Sequence, residues 1–239
     1  MKNTESNDLF VKALMSRAEV YELVGEPNKS LIDYKVAQEY SEGEGFLQIR
    51  LKIADTLLQG LSDYDKSNAI IKEILNEIDE RKYPKIHALA LKIIGGIYLD
   101  QSKYNEALKY FKNFLLSCEK LSYKAGIGEA YHNIAMAYQS TGRIEEALPC
   151  FMKSLAISKE EDNLRSLGED YNCIGGIYWG RGDYDEALSY FNESLNIANK
   201  IGDKQGAAIA IGNIGIIYRS KGESKKALSN LFIFEKLCK

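Results

Sequence analysis

Apolar and small side chains recur at three- and four-residue steps along most of this chain, and the stripe they draw is itself repeated. Over residues 166–200 the first stripe runs through Leu167, Asp170, Tyr171, Ile174, Gly175 and Tyr178. That spacing predicts a helix. Gly180-Arg-Gly-Asp183 then interrupts it, with Gly182 free to take the left-handed conformation that closes a helix and Asp183 standing where an N-cap would. A second stripe follows through Ala187, Leu188, Phe191, Leu195 and Ile197-Ala198, and Ile201-Gly202-Asp203 ends it. The predicted unit is a helix hairpin whose helices approach where Gly175 and Ala187 lack bulk, with Tyr178 and Phe191 filling the space beside them.

The hairpin recurs every 40 residues. Tyr98, Tyr138, Tyr178 and Tyr218 mark it, preceded by Gly95, Ala135, Gly175 and Gly215 and followed by Ala107, Ala147, Ala187 and Ala227, each with leucine next. Upstream, Ala18, Tyr21, Ser30-Leu31 and Tyr34 keep the spacing with polar substitutions. Ile53-Ala54, Leu57 and Tyr64 keep it with a turn one residue longer through Gly60-Leu-Ser-Asp63. The chain is expected to form one continuous array of about six hairpins, two degenerate ones over 1–84 and four well-defined ones over 85–239. A single hairpin cannot bury its own stripe, so neighbours must stack.

Small residue, two residues, tyrosine, then Ala-Leu and an aromatic (Phe111, Phe151, Phe191), with Tyr104 and Tyr184 opening second helices, resemble the tetratricopeptide repeat. The resemblance implies an all-α fold, a right-handed α-solenoid of stacked hairpins, and it argues against HEAT or armadillo repeats of similar period. It is strong from Lys85 to Lys239 and weaker before. The family's common period is about 34 residues. This chain departs from it, placing extra residues in the connections and helix ends around 121–126, 161–166 and 201–206, and it lacks the proline that often closes a unit. The long variety is similar to arrays in regulatory and signalling proteins.

Composition narrows the function. With 31 basic and 34 acidic side chains the net charge is −3, and no basic face forms. Nucleic-acid and membrane-surface roles therefore have no electrostatic footprint. The amino terminus carries no apolar signal segment and no stretch is long enough to span a bilayer. Cys118, Cys150, Cys173 and Cys238 follow no metal or disulfide spacing, as in a reduced cytoplasmic protein. His87 and His132 have no metal-ligand partner in sequence, no phosphate loop is present, and Glu145-Glu146 complement a helix dipole. No catalytic residue, metal or cofactor is expected. Pro149 is expected on an outer face, kinking its helix there.

In the family resembled here, first helices line a concave groove that holds peptide segments, often through asparagines. Carried over residue by residue, the resemblance points to Asn133 and Asn213, two positions before Ala135 and Gly215, with Asn172 one residue off the equivalent place. One turn along the same face lie Met136, Gly176 and Ile216. Lys92, His132 and Arg219 supply charge, and Trp179, the only tryptophan, is either a groove anchor or a packing residue. The expected partner is a protein or peptide. Two rival roles remain: the docking part of a larger signalling enzyme, or an array that assembles with itself. Both start from the strongly apolar last helix, where Leu231, Phe232, Phe234 and Leu237 lie with nothing after them to cover it.

Overall fold

The structure, a computed structural model, describes residues 2–237, with side chains described from 7 to 237; Cys238 lies outside that range. Among the described residues there are twelve α-helices and no strand, the all-α fold that the 40-residue pattern implies. They form two compact units divided between residues 121 and 122, each with three helix hairpins. The first unit holds α1 (Lys2–Leu23) with α2 (Pro27–Glu39), α3 (Gly43–Leu61) with α4 (Tyr64–Glu77), and α5 (Pro84–Asp100) with α6 (Tyr104–Lys120). The second holds α7 (Lys124–Ser140) with α8 (Ile144–Glu160), α9 (Leu164–Arg181) with α10 (Tyr184–Ile201), and α11 (Lys204–Ser220) with α12 (Ser224–Leu237).

One turn serves both kinds of connection. Left-handed residues stand at Ser102, Ser122, Gly142, Asp162, Gly182, Gly202 and Gly222, at intervals of 20. At most of them the amide of the following residue reaches back five positions to close the helix: Arg143 to Tyr138 O, Asn163 to Ser158 O, Asp183 to Tyr178 O, Asp203 to Ala198 O, Glu223 to Tyr218 O. This satisfies carbonyls a helix end would leave bare. The 40-residue period is therefore two near-equal halves, each a helix of 17 or 18 residues and a turn of two or three. The residues beyond the usual period lengthen the helices, and the connections stay short. At α3 the closing bond spans one residue more, Asp63 N–H to Leu57 O, six residues back, while the connection itself is only Ser62 and Asp63.

Packing follows the small positions, with one adjustment. A Cβ on Gly175 would meet the Phe191 ring at 2.9 Å, and one on Gly95 would meet the Phe111 ring at 2.5 Å. Glycine on the first helix thus seats an aromatic ring of the second, where the sequence pattern pointed to contact between Gly175 and Ala187. Ala187 and Phe191 are buried and cluster with Ile214 and Ile217 of the next hairpin. In the degenerate hairpins Ser30 and Ser67 take the alanine position and are fully buried, and the Ser67 hydroxyl donates to Ala54 O at 2.7 Å. Asp183 occupies its N-cap position without a side-chain bond; Asp63, Asn163 and Asp203 are the residues whose side chains cap. Pro149 lies inside α8 on an exposed position.

Candidate functional site

Two features of the second unit gather polar chemistry, and both lie where the first helices α7, α9 and α11 meet their neighbours. The first is a cleft of about 300 Å³. Trp179, 44% exposed, forms one side. Met136 and Ile216 supply further apolar wall, Gly176 leaves open space where any side chain would project, and Gln139, Asn172 and Asn213 supply amides. No charged side chain lines it. Asn213 Nδ2 donates to Asn172 Oδ1 at 2.9 Å. That bond uses one donor of one amide and one acceptor of the other, leaving the Asn172 NH2 and the Asn213 carbonyl oxygen as a complementary donor and acceptor set.

Cys173 also lines the cleft, 3.8 Å from the Met136 sulfur. Burial, aided by the charges of Asp170 and Glu169, pushes its thiol up to about 12. A thiol held that high is a small apolar wall and a poor nucleophile.

The second feature is a buried polar cluster. Asp170 on α9 is fully buried. Its carboxylate accepts from Ser154 Oγ at 2.7 Å and Ser158 Oγ at 3.4 Å on α8, and from His132 Nδ1 at 2.7 Å on α7. The His132 ring also meets the Phe151 ring edge to face at 5.5 Å between centroids. Burial is the largest influence on His132 and pulls its imidazole down, but the Asp170 hydrogen bond and the charges of Asp170, Glu169 and Glu129 outweigh it, so the net shift is upward. Three helices, α7, α8 and α9, are tied by one carboxylate.

Of the residues the sequence singled out, Met136, Asn172, Trp179, Asn213 and Ile216 come together in the cleft. Asn133 is half-buried on α7 and is not among its lining residues. His132 is turned to Asp170, Arg219 is exposed at the end of α11, and Lys92 belongs to the first unit, where it borders a separate cleft with Lys52, Lys85 and Ile93. Leu231, Phe232, Phe234 and Leu237 of α12 are all exposed. Sequence reasoning placed Asp170 on the inward stripe of its helix and assigned it no role. Its signal was present: Ala90, Ala130 and Ala210, buried residues all, occupy the same place in the other strong hairpins. Among the described residues no group of three or more His, Cys, Asp and Glu side chains is placed to hold a metal ion, and no helix is long and apolar enough to cross a membrane.

A family model described as tetratricopeptide repeat matches residues 86–160 and 170–231, more than half of the chain. No curated protein sequence matches it. Solved structures are similar at low identity. A Rap protein complexed with competence and sporulation factor aligns over 99% of this chain and 77% of its own, at 16% identity and a TM-score of 0.74. Aspartyl phosphate phosphatase F from Bacillus subtilis aligns over 99% and 72%, at 16% identity and a TM-score of 0.68. NprR in complex with its cognate peptide NprX aligns over 95% and 67%, at 19% identity and a TM-score of 0.64. At these identities the likeness is one of fold.

Proposed function

The chain belongs to the tetratricopeptide repeat family, and from that premise we propose that it is a non-catalytic scaffold holding a peptide segment of a partner in the cleft beside Trp179. The observation that carries this is the Asn172–Asn213 amide pair set against an exposed tryptophan. An extended peptide presents one N–H and one C=O per residue, and the pair offers one acceptor and one donor in return. Trp179, Met136 and Ile216 then receive an uncharged side chain, since the lining carries no charge to meet an ionic one. Tryptophan is the usual anchor of such contacts. Two similar structures were solved with a bound factor or cognate peptide, which supports this class of occupant. The cytoplasm is the compartment this reading assigns.

The single tryptophan makes the test direct. Peptides selected from a random display library against the whole chain should shift Trp179 emission to the blue as they bind. Their affinity should fall about 10-fold or more in Asn172→Ala/Asn213→Ala, the loss of one or two hydrogen bonds in a partly buried site. Peptides that leave Trp179 emission untouched and bind the double variant equally would remove the cleft from the mechanism.

A further inference from the structure

The Trp179 cleft has a neighbour that shares one of its walls. Asn172 lines the cleft and also a second, narrower cavity of about 80 Å³. The walls of that cavity come from α9, α10 and the start of α11, so it extends the cleft along α9 toward that helix's N-terminus. The two spaces differ in chemistry. The cleft lining is uncharged, whereas the cavity sets Ile197, Ile201 and Ile209 beside the carboxylates of Glu169 and Asp203. Ile201 and Ile209 are 37% and 45% exposed. Apolar surface left open next to carboxylates suits one kind of side chain, a methylene stem that ends in a cation.

Both carboxylates have capacity to receive that cation. Among the described residues, no side chain bonds to Glu169 or stands within ion-pair distance of it. Asp203 Oδ1 accepts the Gly206 amide at 2.9 Å, which leaves Oδ2 for another donor. Arg165, one turn before Glu169, is the one base among the described lining residues, against two acids. Loss of water on its protein side pushes the Glu169 carboxyl up. The charges of His132 and Arg165 pull it down, those of Asp170 and Asp203 push it up again, and the net direction is upward. An arriving cation would stabilise the charged form that these surroundings disfavour.

Spacing fixes where the cation sits in a bound segment. Glu169 and Gly176 stand seven residues apart on α9, about 10 Å along its axis. About three residues of extended chain cover that length.

We propose that the cavity reads a lysine or arginine of the peptide held at Trp179, about two to four residues from the side chain that fills the cleft. Its stem lies on Ile197, Ile201 and Ile209, and its cation meets Glu169 and Asp203. Asn172, common to both spaces, holds the main chain between them. The same carboxylates reject an acidic residue at that place.

This specificity rests on the peptide reading of the cleft, and the two fail in different ways. Peptides selected from a random display library against the whole chain are the probe. Those that shift Trp179 emission and weaken in Asn172→Ala/Asn213→Ala should carry Lys or Arg about two to four residues from their apolar anchor. Synthetic copies with norleucine for lysine, or citrulline for arginine, should bind the wild type about 5-fold or more weaker. Against Glu169→Gln the same exchange should cost less than about 2-fold. Glu169 has no hydrogen bond to lose, so that variant should melt as the wild type does; if it does not, Asp203→Asn, whose amide oxygen can still cap Gly206, takes its place in the cycle. Cleft-binding peptides with no basic residue at that spacing, or an exchange that costs the same in wild type and variant, would overturn this inference and leave the cleft standing. Peptides that bind without shifting Trp179 or depending on Asn172 and Asn213 would overturn both.

Discussion

Replacing Asp170 with asparagine keeps the side-chain volume and removes the charge at the centre of the three-helix cluster. In the wild type this buried carboxylate accepts from two serine hydroxyls and from His132. Because the net influence on His132 raises its imidazole, the pair contributes fully below the ordinary histidine value of about 6.5 and loses that contribution as pH rises through the higher folded-state value. In the variant an imidazolium would face a neutral amide, which amounts to breaking a buried pair and costs ~3–5 kcal/mol. At alkaline pH the neutral imidazole can turn its Nδ1 lone pair to the new amide, and the serine hydroxyls can rotate. The cost there falls to ~1–2 kcal/mol. Urea unfolding of both proteins at about pH 5.5 and about pH 9, on either side of the histidine range, measures the two differences. At the acid pH the variant should melt ~6–20 °C lower, from ~2–4 °C per kcal/mol for a chain this long. A loss equal at both pH values, or below ~1 kcal/mol at the acid one, would refute the ion-pair account of His132 and Asp170.

Two further outcomes follow from the turns and the cleft. Gly182→Val, at a φ of 85°, should lower stability by ~1–2 kcal/mol or more because a side chain there strains the left-handed conformation, whereas Ser122→Gly, at a φ of 51°, should be neutral or stabilising; urea midpoints decide both. The Cys173 thiol, pushed up to about 12, should react with iodoacetamide at about pH 8 at least ~100-fold more slowly than a small free thiol, read by mass spectrometry of the native protein.

The hairpins were legible because their causes are local. Helix period, the small residue three before each tyrosine, and glycine where the backbone turns left-handed all act within a few residues, so repetition at 40 made them plain. Even where Ser102, Ser122 and Asp162 replace glycine, the turn persists, because the flanking helices impose it. The polar pairings were not legible in that way. His132 meets Asp170 and Asn213 meets Asn172 across 38 and 41 residues, one hairpin to the next. Whether Trp179 packs or faces solvent likewise depends on the neighbouring helix surface, and so does the choice of Asn172 over Asn133 at the cleft.

The sequence by itself determined that this chain folds into helix hairpins with apolar stripes, since hydrogen bonding and burial of a periodic stripe leave the backbone no comparable alternative. The tertiary structure decided which polar side chains share a buried space and which seam residues stay open. Those outcomes depend on how one helix surface is offset against the next by a fraction of a turn, a quantity that the period alone does not contain.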